Sequence, residues 1–271
     1  MPKPPAQTPT TPEARIQAHL KTLKLTQMAA HLDAILTQSI RENLPVPHVL
    51  ERLLDTEVRA LIERRIERRI KESKLPERKL LSEFDFDFQT GIDQRQILEL
   101  ATLGFIERTQ GLIIGGKSGT GKSHIVKALL LLACQKNYRC RYVTASQMLK
   151  DLLAGLADST LEQKLKNYLA PQVLLIDEIG FDRLEQEEAS HRNASLFHKV
   201  VDGRYCKGTT IATINIDFQA LGDYLGDPVI TTALVDRMVH HSIIINVDGP
   251  SWRKHQSQAL NDRSKTAEKT R

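Results

Sequence analysis

Cysteine is scarce. The three in 271 residues, Cys134, Cys140 and Cys206, stand in no C-x-x-C spacing and form no metal-ligand pattern. They read as core or surface thiols of a reducing compartment. Long hydrophobic runs are also missing: the apolar stretch Ala128 to Cys134 is far too short to cross a bilayer. The opening Met-Pro-Lys-Pro-Pro-Ala-Gln-Thr-Pro-Thr-Thr-Pro has no apolar h-region, so secretion is not expected, and a cytoplasmic location without a membrane partner is. There is no internal repeat and no base-reading motif such as a zinc finger. The net charge of +5 is a mild excess that matters only where it is localised. The length allows one α/β domain of ordinary size and a smaller one, with room for a substantial core.

What is present begins with Gly116, Lys117, Ser118, Gly119, Thr120, Gly121, Lys122 and Ser123, a complete G-x-x-x-x-G-K-[ST] phosphate loop followed by His124. Gly116, Gly119 and Gly121 let consecutive N–H groups point inward at phosphate oxygens, in a geometry that a Cβ would obstruct. Lys122 is expected to reach the β- and γ-phosphates of ATP, and Ser123 to place its hydroxyl on Mg²⁺. The context fits. Leu112-Ile113-Ile114 reads as a short buried strand before the loop, and Ile125 to Cys134 as a helix after it, whose dipole favours an anion.

Downstream, Val173-Leu174-Leu175-Ile176 is a continuous apolar run that ends in Asp177-Glu178, as a central parallel strand would. The carboxyl ends of such strands carry the ligand site, so both carboxylates should emerge beside the phosphate loop. Asp177 is the candidate to support Mg²⁺, and Glu178 the candidate to orient or polarise an attacking water. An acidic pair at this place points to hydrolysis of ATP rather than to phosphoryl transfer onto a small metabolite.

Residues 1–12 are Pro/Thr-rich and expected to be extended or disordered. From 13 to about 80 the pattern is helical: Leu25, Met28, Leu32, Ile35 and Leu36 recur at helical spacing, Pro45 and Pro47 break it, and Val58, Ile62, Ile66 and Ile70 form an i, i+4 stripe. Beside that stripe the segment 59–71 carries six basic residues, among them Arg64, Arg65, Arg68 and Arg69, against Glu63 and Glu67, a net +4. Like charges so close repel along a helix, and phosphate would relieve the cost. A solvated face is one reading. Binding of double-stranded DNA through phosphates is the other, favoured by arginine outnumbering lysine and by a second net +4 segment at 251–271.

A connector with Phe84-Asp85-Phe86-Asp87-Phe88 is expected to be extended, pinned by one apolar face, and is followed by a helix-like stretch to Thr109. Strands at 112–115, 140–144, 173–176, 209–213 and 242–247 alternate with helices at 122–135, 146–154, 160–169, 190–204, 217–225 and 231–240. This implies an α/β fold with a parallel sheet flanked by helices, preceded by a small all-helical domain. The organisation is then a tail (1–12), a helical domain (13–80), an ATPase domain (81–250) and a basic tail (251–271) too polar to fold alone.

In order along the chain, the phosphate loop, Leu-Leu-Ile-Asp-Glu-Ile-Gly, Arg204-Tyr205 before Gly208-Thr209-Thr210, Asp236-Arg237-Met238-Val239-His240-His241 and Ser251-Trp252-Arg253 resemble IstB-like ATPases. These are AAA+ helpers of insertion sequences, related to DnaC-type helicase loaders and more distantly to the DnaA initiator. The resemblance covers about residues 15–255. It implies a P-loop AAA+ fold and a homo-oligomer on DNA. The amino-terminal helices would contribute to DNA or partner binding, and the protein would assist a cognate transposase. It also implies that Asn215 senses the γ-phosphate, although Ile214 stands where the family has serine, and that Arg237 reaches a neighbouring subunit's nucleotide. Arg204 and Arg253 are second candidates for inter-subunit or phosphate contacts, and no helical lid is expected after 242–247. A helicase loader would share this site. A nucleotide-gated DNA scaffold with negligible hydrolysis would not need Glu178.

Overall fold

The computed structural model describes residues 11–181 and 187–258, with the side chains of 187–191 and of Phe218 outside that description. The expected tail at 1–12 lies almost wholly outside the described residues. So do 259–271 of the basic tail. The chain packs as two compact units, Met1–Glu67 and Arg68–Arg271, and the division falls inside a continuous helix.

The first unit is helical. Helix α1 (Pro12–Thr22) starts with Pro12 in its first turn and with the Thr11 hydroxyl accepting from the Ala14 N–H, the usual way to satisfy an otherwise orphan donor. Helix α2 (Thr26–Arg41) has no cap of its own. Its free N–H groups on Gln27 and Met28 donate instead to Glu57 Oε2, at 2.8 and 3.2 Å, from helix α3 (Val46–Ser73). Leu20, Met28, Leu32 and Leu53 close the core between the three helices. The isoleucine stripe does not stay on one face: Val58 and Ile62 are exposed, Ile66 is half-buried and Ile70 is buried. Each i, i+4 step overshoots a full turn by about 40°, so a run of such steps wraps around a straight helix. The inward face of α3 here is carried by Leu53 and Glu57 instead.

The second unit holds five parallel strands, β1 (Gly111–Gly116), β2 (Cys140–Thr144), β3 (Val173–Ile179), β4 (Thr209–Ile214) and β5 (Ser242–Val247), in the order β2-β3-β4-β1-β5. The helices between them are α6 (Lys122–Gln135), α7 (Ala145–Ala157), α8 (Leu161–Leu169), α9 (Glu187–Arg204), α10 (Leu221–Leu225) and α11 (Pro228–His240), with α4 (Gln94–Ala101) and α5 (Gly104–Glu107) preceding β1. This is the α/β fold expected from the alternation. Val173 to Ile176 are wholly buried, as are Leu112 and Ile114, so β3 and β1 form the centre of the core.

Three expectations change. The segment Phe84 to Phe88 keeps its alternation, phenylalanines half-buried and aspartates exposed, but its backbone is turns rather than a strand. The Asp85 carboxylate accepts from the Phe88 N–H at 2.8 Å, a local side-chain bond that competes with extension. Residues 252–258, expected to be unfolded tail, are helical, and the Trp252 N–H donates to Gly119 O at 2.9 Å. Arg204 is not available for any partner. It is buried, and its guanidinium donates to the carbonyls of Tyr168, Pro171, Gln172 and Thr209 and to the Thr210 hydroxyl.

Candidate functional site

Strand β1 ends in the phosphate loop, and β1 lies between β4 and β5 while its helix α6 starts at Lys122. The crevice beyond the carboxyl ends of β1, β3 and β4 is where an open parallel sheet binds ligands. A cleft of about 530 Å³ occupies that place, bounded by the phosphate loop, Glu178, Asn215 and Arg253. Gly116, Gly119 and Gly121 all have positive φ, at 136°, 86° and 88°. A Cβ on Gly116 would run into the Val247 carbonyl oxygen and one on Gly119 into Ser251, so the loop conformation requires glycine twice over.

Lys122 is only 4 % exposed. Its ammonium donates to Gly116 O and Lys117 O, both at 2.7 Å, so the loop folds around its own cation. Burial lowers its pKa to about 8; Asp177 pulls the other way and the charge of Arg253 adds to the depression. Burial outweighs the attraction of Asp177, so a further anion at the loop would stabilise the ammonium. A polyphosphate would supply that anion, and the loop N–H groups, Lys122 and Arg253 suit that group.

Asp177 is wholly buried at the end of β3. Its Oδ1 accepts from Ser123 Oγ at 2.9 Å and from Thr213 Oγ1 at 2.6 Å, and its Oδ2 from the Tyr142 hydroxyl at 3.2 Å. Lys127 Nζ stands 3.9 Å from Oδ2 and 3.2 Å from Glu77. Burial pushes the Tyr142 phenol up, and Asp177 pushes it further, so it remains a donor at neutral pH. An oxygen donor pair of Ser123 and Asp177 matches the chemistry that Mg²⁺ selects. Glu178 follows with φ of 64°, in the left-handed region.

The structure brings the phosphate loop, Asp177, Glu178 and Asn215 together. His124 sits at the edge of the same cleft, its Nε2 2.8 Å from Leu80 O. Arg237 lies elsewhere. It borders a small pocket with Gly111 and Ser242, which open β1 and β5, and is thus at the opposite end of the sheet. Its Nε is 2.7 Å from Asp202 Oδ1. Of the α3 arginines, Arg64 pairs with Glu57 at 3.0 Å, Arg68 with Glu72 at 3.9 Å, and Arg69 with Glu72 at 3.2 Å and with Asn137 Oδ1 at 3.1 Å, while Arg65 is exposed. Adjacent His240 and His241 do not act together: the first meets the Tyr205 hydroxyl at 2.7 Å and the second Arg108 O at 3.3 Å.

Sequence reasoning missed Thr213, Tyr142 and Lys127 around Asp177, and Gln89, whose Nε2 bridges Thr120 O at 2.9 Å and Pro250 O at 3.1 Å. Thr213 and Tyr142 read as ordinary strand residues. The expectation of no helical lid left one short helix out of account, and that helix, at 252–258, brings Arg253 to the cleft.

The family model described as "IstB-like ATP binding protein" matches residues 18–259. A protein designated ATP-binding in insertion sequence IS5376 of Geobacillus stearothermophilus is 35% identical over 251 residues, 93% of this chain and 98% of its own length. A second, so designated in insertion sequence IS21 of Pseudomonas aeruginosa, is 34% identical over 238 residues, 88% of each chain. Among solved structures, the DnaC helicase loader is 21% identical with a TM-score of 0.47, covering 57% of this chain and 90% of that one.

Proposed function

The chain belongs to the IstB-like ATP-binding protein family, with a P-loop AAA+ fold, and from that membership and the cleft we propose that it hydrolyses Mg²⁺-ATP while oligomerised on double-stranded DNA and so assists a cognate transposase. The observation that carries the hydrolytic part is the meeting of Glu178 and Asn215 with Lys122 and Ser123 across one cleft. A carboxylate lining the cleft beside the phosphate loop supports hydrolysis over nucleotide binding alone.

Mg²⁺, when bound, would supply charge neutralisation at the phosphates. Ser123 and Asp177 would hold it, and the loop N–H groups, Lys122 and Arg253 would hold the phosphates. Glu178 orients the attacking water and draws on its proton; Asn215 fixes that water and reads the γ-phosphate. Arg237, which lies at the opposite end of the sheet from its own cleft, would leave Asp202 to reach the nucleotide of an adjacent subunit, where a positive charge stabilises the transition state. The arginines of α3 and the basic tail supply DNA phosphate contacts. Relatives from insertion sequences favour a transposase over a replicative helicase as the partner. A cytoplasmic site of action follows from that role.

The test is Glu178→Gln. It should bind ATP like the parent and lose turnover by about 10²–10⁴-fold, since an amide keeps the shape but cannot accept the proton. Equal turnover in the two proteins removes Glu178 from the mechanism.

A further inference from the structure

Strand β3 is bulged at its functional end. Ile176 pairs with Ala212 and Ile179 with Ile214, so Asp177 and Glu178 together face one residue of β4, Thr213. A bulge leaves a peptide without its ladder partner, and here the Thr213 side chain takes over that duty. The Glu178 N–H donates to Thr213 Oγ1 at 2.8 Å, while the same hydroxyl donates to Asp177 Oδ1 at 2.6 Å. The proton assignment has no ambiguity. A peptide N–H can only donate, so the threonine oxygen accepts there and its one hydrogen goes to the carboxylate.

We propose that Thr213 is a positioning residue for both acids of the site: one buried hydroxyl fixes the carboxylate of Asp177 and the left-handed peptide of Glu178 relative to each other. This rests on the hydrolytic reading of the cleft. Non-glycine residues in the left-handed region persist only where their surroundings hold them, because that conformation is sparsely populated for a side chain with a Cβ. Without the hydroxyl, the Glu178 N–H is left to the longer 3.2 Å bond to Asp177 Oδ1, the atom that also receives Ser123. The Glu178 N–H and the Ser123 hydroxyl would then share Asp177 Oδ1 with one fewer constraint on the carboxylate. Thr213 is 1 % exposed and lies in the strand two residues before Asn215, so β4 serves both the acids and the phosphate end of the cleft.

The experiment compares Thr213→Val and Thr213→Ser in the full chain. Valine keeps the volume and the strand preference but neither hydrogen bond; serine keeps both bonds. In Thr213→Val, kcat should fall by about 10–100-fold, the loss typical of a displaced catalytic group, with the ATP dissociation constant unchanged. Exchange of the Glu178 amide hydrogen should quicken. Thr213→Ser should restore both. Parent-like kcat in the valine variant, or a serine variant as impaired as valine, overturns the proposal. Should the parent itself fail to turn ATP over, the hydrolytic reading falls, and amide exchange alone decides: unchanged exchange at Glu178 in Thr213→Val refutes the positioning role. If the valine variant does not fold, Thr213→Ala repeats the comparison.

Discussion

Lys122 carries the physics of the site in one side chain. Burying an ammonium among carbonyls costs free energy, its pKa falls to about 8, and an anion would reverse that fall. The direction of the pH effect follows. Below pH 8 the free protein already holds the proton that the nucleotide-bound form prefers. Above it, binding must first take a proton up. ATP affinity should therefore weaken by about tenfold between pH 7 and pH 9, and calorimetry at about pH 8.5 in two buffers of different ionisation heat should reveal proton uptake. Buffer-independent heats would show that the lysine is charged throughout and that the loop does not depress it. Arg204 shows the opposite balance: burial lowers its pKa only to about 10, so it remains cationic at neutral pH, and its bonds to carbonyls tie α8, β4 and α9 together without reaching any ligand.

At the scale of elements, the arginines of α3 divide by what they already hold. Arg64 supports Glu57, which in turn caps α2, and Arg69 is engaged with Asn137 and Glu72. These two contribute to structure whatever else they do. Arg65 and Arg68 are exposed, Arg68 at 3.9 Å from Glu72, and they are the better test of DNA binding. Replacing both with glutamine hardly changes helix propensity. Affinity for double-stranded DNA should fall on all sequences alike, and the slope of log K against log salt should flatten by about one unit for each phosphate no longer neutralised. An unchanged slope would assign these residues to a solvated face or to a protein partner. The short helix at 252–258 acts at the other end of the chain, where Trp252 and Arg253 join it to the phosphate loop and its cleft.

For the whole molecule, the placement of Arg237 at the far end of the sheet from its own cleft separates the arginine from the chemistry attributed to it. Within one chain it is committed to Asp202. If it serves a neighbour, mixing Arg237→Ala with Lys122→Ala subunits should regain part of the ATPase activity that each lacks alone, because one type of junction unites an intact loop with an intact arginine. Mixed oligomers that demonstrably form yet stay inactive would leave Arg237 as half of a surface ion pair. Among the described residues no helix is long and apolar enough to cross a membrane.

Eight contiguous residues were enough to announce the phosphate loop, because its conformation is local: glycine at three positions sets the backbone, and the flanking apolar runs can only be a strand and a helix. The acidic end of β3 was legible for the same reason, as four apolar residues followed by two carboxylates. The helical first unit and the alternating second one followed from periodicity. What could not be read is everything that depends on which strands become neighbours. Thr213 meets Asp177 because β4 pairs with β3, and Lys127 and Tyr142 meet it because α6 and β2 close in from either side. Arg204 looks like a surface cation until the carbonyl ends of other elements converge on it. Hydrophobic periodicity assigns each segment a type and a face, but hydrogen bonds and charges are satisfied between segments distant in sequence, so the support of the site exists only once the chain has packed.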